Sequence, residues 1–123
     1  MKIRIKGNSI RYRLTKTEIA NFGKNGYLEE KTSFPGGAAF HYRLEKKDDS
    51  ENMTASFSDN TLIVSVPKKI ADEWTTTETV GFNHTLALDQ GKELFLLIEK
   101  DFVCLDHTFE DQSDNYPNPN KTC

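Results

Sequence analysis

Five cations crowd the first thirteen residues: Lys2, Arg4, Lys6, Arg11 and Arg13 alternate with Ile3, Ile5, Ile10 and Tyr12. Alternation of period two assigns charge to one face of a strand and apolar bulk to the other. The dipeptide Gly7-Asn8 suits a tight two-residue turn, so the segment reads as a hairpin with Arg4 facing Arg11 and Lys2 facing Arg13. Like charges directly opposed on a sheet are destabilising unless something negative lies near. A phosphate-bearing ligand would meet that need, because guanidinium groups bind oxyanions in a bidentate fork, with Tyr12 or Tyr42 available to stack. The protein's own acids, Glu29, Glu30 or those of its final segment, would meet it equally. If Gly7 is instead a bulge within one long strand, this pairing lapses.

A second constellation lies at the other end. Cys104, His107 and Cys123 provide three candidate zinc ligands, and Asp106, Asp111, His41 or His84 could complete a tetrahedral set. The spacing lacks the two close Cys pairs that mark a structural zinc site. Cys104 with His107 also resembles a thiol nucleophile and its base, although no orienting third residue accompanies them. The plainer readings are a buried thiol beside Phe102 and Leu105, a solvated histidine, or a disulfide closing the loop between the two cysteines. A calcium loop is disfavoured, because Asp106, Asp111 and Asp114 lack the oxygen-ligand order and the glycine that such a loop uses. Glu99 and Asp101, two apart at a strand end, resemble an acid/base pair, but solvated strand-end charges are the commoner case. Gly36-Gly37 follows Pro35 and opens a strand rather than a helix, so it is no phosphate loop.

The elements that must position these residues follow from pattern. Thr15 and Glu18 have capping-box spacing, and Leu14 can staple against Ile19, which predicts a helix of about two turns ended by Gly23 and Gly26. Strands are predicted at 27–32, 40–45, 53–57 and 61–66, joined by turn-rich segments. Pro67 suits the first turn of a second short helix, with Ile70 and Trp74 on one face. A last hairpin, 80–88 with 93–99, has a second strand that is apolar on both faces and so belongs in the middle of a sheet. The expected fold is α+β: a mainly antiparallel, curved sheet or small barrel with two short helices, built by the simplest assumption as a meander.

At 123 residues the chain is expected to be a single domain, 1–123, in which 104–123 is an irregular acidic segment packed on the rest. That segment holds four acids against one lysine, whereas residues 1–25 hold seven cations against one acid. The net charge of −3 and a pI near 5.6 argue against a nucleic-acid module. No apolar run approaches the roughly 20 residues of a membrane span, and Met-Lys-Ile-Arg-Ile-Lys is no secretory signal, which points to a soluble cytoplasmic protein.

Four runs carry a resemblance across nearly the whole chain: Lys2 to Thr15, Val66-Pro67 to Trp74, Leu97 to Leu105, and Glu110 to Pro119. Together they resemble an uncharacterised family of short bacterial proteins of the Bacteroidetes type. The resemblance supports a single domain and implies no activity. The functional expectation is therefore a small non-enzymatic binding or interaction domain, with Lys2, Arg4, Arg11 and Arg13 presented to an anionic ligand, a protein partner or its own acidic tail. The alternative is a metal-binding or thiol-dependent protein using Cys104, His107 and Cys123. No cofactor is expected on the first reading, and zinc is the candidate on the second.

Overall fold

The computed structural model describes residues 1–103 and 113–117. They form β1 (Lys2–Lys6), β2 (Ser9–Leu14), α1 (Lys16–Asn25), β3 (Tyr27–Ser33), β4 (Ala39–Lys47), β5 (Thr54–Ser58), β6 (Thr61–Pro67), α2 (Lys68–Thr76), β7 (Gly81–Ala87) and β8 (Glu93–Lys100). The fold is α+β, as the sequence pattern predicts. The chain divides into two compact units, one of Met1 with Asn21–Thr79 and one of Lys2–Ala20 with Val80–Cys123.

Each unit contains one four-stranded sheet, ordered β3-β4-β6-β5 in the first and β1-β2-β8-β7 in the second. The expected meander fails at the centre of both. There β4 runs parallel to β6, and β2 runs parallel to β8, while every outer pairing is antiparallel. Neither sheet closes into a barrel. Hairpins are local and leave turn signals, but a parallel pair needs a crossover whose partner no turn residue announces.

The two sheets share more than strand order. The helices open at Lys16 and Lys68, and β2 and β6 open at Ser9 and Thr61, an offset of 52 residues in both cases. The strands β3 and β7 close at Ser33 and Ala87, an offset of 54. With these offsets the registers coincide: Leu14 lies opposite Lys100 as Val66 lies opposite Lys46, and Gly81 lies opposite Glu99 as Tyr27 lies opposite Glu45. The chain is a repeated ββαββ unit whose hairpins are exchanged between the sheets. Turn chemistry is retained where identity is not. Gly36 and Gln90, at matching places in the β3–β4 and β7–β8 turns, both take left-handed φ angles of 80° and 62°.

In the first unit, Phe22, Leu44, Val64, Val66, Ala71 and Trp74 are fully buried, and α2 lies against β4 and β6. The edge of Trp74 meets Phe22 at 6.2 Å and 65°. Gly23 does not end α1. It lies inside the helix, where the space left by its missing side chain is within 3.6 Å of Thr75. In the second unit, Tyr12, Leu14, Leu96 and Ile98 are fully buried. The capping box forms as predicted, with the Thr15 amide donating to Glu18 Oε1 at 2.9 Å and the Glu18 amide to Thr15 Oγ1 at 3.4 Å.

Candidate functional site

The β1–β2 hairpin has the register its turn predicts, Lys2 opposite Arg13 and Arg4 opposite Arg11. Alternation sends Ile10, Tyr12 and Leu14 inward and leaves Lys2, Arg4, Lys6, Arg11 and Arg13 on the outer face. Parallel pairing with β8 extends that face, because Phe95 faces Ser9, Leu97 faces Arg11 and Glu99 faces Arg13. The four sequence-predicted residues are therefore brought together. Phe95, Leu97 and Glu99 join them without any local signal.

Two shallow depressions open between these side chains. One, of about 180 Å³, lies among Arg4, Lys6, Arg11, Phe95 and Leu97. The other, of about 120 Å³, lies among Lys2, Arg4, Arg11 and Arg13. Arg4 and Arg11 border both. The first has a cationic rim beside an apolar wall.

Two acids offset part of the charge, and neither is one of those first considered. Glu99 Oε1 accepts from Arg11 Nε at 2.5 Å and Arg13 Nε at 3.1 Å, and Arg11 Nη2 also closes on it. Only 15% of the Glu99 side chain is exposed. Gly81 makes room for it, since a Cβ there would lie 2.8 Å from that of Glu99 and 2.5 Å from the Ile98 carbonyl oxygen. Asp101, almost fully buried, places Oδ2 at 2.8 Å from Lys2 Nζ, an ion pair without an aligned hydrogen bond. Glu99 and Asp101 are thus counter-ions rather than solvated strand-end charges. Glu30 serves elsewhere, accepting from the Met1 ammonium at 2.7 Å. Arg4 and Lys6 have no ion-pair partner among the described residues.

The matching face of the other sheet carries no such cluster. The counterparts of Arg11 and Arg13 at the 52-residue offset are Ile63 and Ser65. Glu45, the counterpart of Glu99, accepts from Arg43 at 3.0 Å and from the Ser65 hydroxyl at 3.1 Å. The basic face is a specialisation of one sheet, not a by-product of the repeat.

Residues 113–117 of the acidic segment dock at the start of α1 and the end of β8. The Asp114 carboxylate accepts from the Thr17 amide and hydroxyl at 3.1 to 3.3 Å, and its carbonyl accepts from the Lys16 amide at 3.0 Å. Anions are favoured there by the unpaired amides of the first helical turn. Tyr116 pairs with Phe102, its ring at 5.7 Å, and the Lys100 and Lys16 ammonium groups lie 5.4 and 5.9 Å from its centroid. A hydrogen bond from the Thr15 side chain, with smaller contributions from Thr17 and Lys16, holds the Asp114 carboxyl below its ordinary value. A depressed folded value means that the contact stabilises above the unfolded value, about 3.9, and is lost as pH falls through the folded one. Acid titration is expected to weaken the Phe102–Tyr116 proton contacts only below about pH 4, as read by NMR. In Asp114→Asn that step should vanish, and a step centred near neutral pH would assign the contact to another group.

Phe109 and the metal or thiol set Cys104, His107 and Cys123 lie outside the described residues, as do Asp106 and Asp111. Among the described residues no three His, Cys, Asp or Glu side chains converge as a metal site. Among the described residues, no helix is long and apolar enough to cross a membrane.

No curated protein sequence and no solved structure matches this chain. The model of a protein family, however, matches residues 1–120, almost the full length that carries the hairpin, both sheets and the docked segment, so the chain belongs to a family of unknown function, DUF7009.

Proposed function

We propose that the protein is a small binding domain that takes a multiply charged oxyanion on the outer face of β1 and β2. The observation that carries this reading is the pairing of Arg4 with Arg11 across the hairpin, at the shared border of two depressions. Five cations stand there against two acids, and Arg4 and Lys6 are left without an ion pair among the described residues. Opposed like charges of this kind are stabilised by an external anion, and guanidinium groups favour phosphate geometry. Asp114 supports an outside ligand over the protein's own tail, since its carboxylate is already engaged at α1. A soluble protein of the bacterial cytoplasm is part of the proposal, in keeping with the resemblance to short bacterial proteins.

Calorimetric titration with inorganic tripolyphosphate tests it. Binding should weaken as salt rises, because exposed charges are screened over about 10 Å at 0.1 M. The double variant Arg4→Ala/Arg11→Ala should lose at least about tenfold in affinity, given 1.5–3 kcal/mol for a charge-assisted hydrogen bond. The same affinity in the parent and the double variant would sink the reading.

A further inference from the structure

The edge of the β3-β4-β6-β5 sheet at β5 differs from its counterpart. Edge strands offer unpaired amides and carbonyls, and proteins blunt them with charge, proline or cover. The counterpart of β5 at the 52-residue offset, β1, reads Lys-Ile-Arg-Ile-Lys, and the opposite edge, β3, carries Glu29, Glu30 and Lys31. The strand β5 reads Thr54-Ala-Ser-Phe-Ser58, with no charge and no proline. All of it but Ala55 is exposed, and Phe57 is 65% exposed although Phe40 lies 6.2 Å from its ring.

We propose that β5 pairs antiparallel with β5 of a second copy of this chain, across a two-fold axis at Ser56. The sequence of the strand is self-complementary in this register. Ser56 faces the partner's Ser56, Thr54 faces the partner's Ser58, and Ala55 faces the partner's Phe57. Ala55 and Phe57 point to the same side of the sheet as Val64 and Leu62, their cross-strand neighbours. The small side chain therefore leaves space that the partner's phenyl ring fills, twice by symmetry, while hydroxyl groups line the other side. Such an isologous contact closes at two subunits and joins two four-stranded sheets into one. The other edge without a fixed charge, β7, lacks this match, since His84 at its centre would face its own copy.

Sedimentation of the full chain over a dilution series should show a monomer–dimer equilibrium. Ser56→Lys sets two ammonium groups against each other at the axis and should weaken the dimer at least about tenfold while the circular dichroism stays unchanged. A second readout does not depend on that variant folding well. In a chain carrying Cys104→Ser and Cys123→Ser, oxidised Ser56→Cys should give a covalent dimer, because directly opposed residues lie about 4.5–5.5 Å apart at Cα, within disulfide reach. Ser58→Cys, which faces the partner's Thr54, should cross-link far more slowly. A monomer at all concentrations, a dimer indifferent to Ser56→Lys, or equal cross-linking at 56 and 58 would each overturn the proposal.

Discussion

Trp74→Ala is expected to remove about 3–5 kcal/mol of stability, the usual cost of emptying a large aromatic site in a core. Trp74 is completely buried on α2, its ring edge against Phe22 of α1. The two aromatics occupy matching positions of the repeat, six residues after the helix openings at Lys16 and Lys68. Truncating one leaves the other facing a cavity, and α2 is only nine residues long, too short to hold itself together without that contact. For a domain whose whole stability is about 5–15 kcal/mol, the loss is a large share. Urea unfolding followed by far-ultraviolet circular dichroism measures it. Phe57→Ala, at an exposed aromatic of the same unit, should change the unfolding free energy by no more than about 0.5 kcal/mol in dilute protein. Comparable losses at both positions would mean that burial in this unit is not what stabilises it.

The features legible in sequence are those encoded locally. Gly7-Asn8 fixes the register of the first hairpin, and Thr15 with Glu18 fixes the start of α1. Apolar residues on both faces of β8 correctly mark it as a central strand. The repeat escapes notice because its halves agree in turn position, burial and pairing rather than in residue identity: Gly7-Asn8 matches Asp59-Asn60, and Phe22 matches Trp74. Its parallel centres escape for a further reason. The pairing of β2 with β8 joins residues more than eighty apart, and β-propensity does not name a partner. The same gap separates the two parts of the candidate site. Lys2, Arg4, Arg11 and Arg13 are visible as a cluster in one hairpin, but Glu99 reads as an ordinary strand-end acid until the register places it opposite Arg13.

Glu99 accordingly holds opposite effects on folding and on binding. Its Oε1 draws in both Arg11 and Arg13, from a side chain largely shielded from water. In Glu99→Gln the volume and an acceptor oxygen remain, but the negative charge is gone, and two guanidinium groups are left close together beside Arg4. Stability should fall by about 2 kcal/mol, within the range for a charge-assisted hydrogen bond lost on a partly buried group. Tripolyphosphate affinity should instead rise, by about tenfold, because the incoming anion no longer competes with an internal one. These two changes are linked: a ligand that binds only the folded state stabilises it in proportion to the logarithm of its concentration over Kd. The melting temperature of Glu99→Gln should therefore be lower than the parent's in buffer and climb more steeply as tripolyphosphate is added. If stability and affinity both fall, Glu99 shapes the arginines for binding rather than competing with the ligand. The anion would then dock on the guanidinium groups that Glu99 holds in place, those of Arg11 and Arg13, with Arg4 across the hairpin from Arg11.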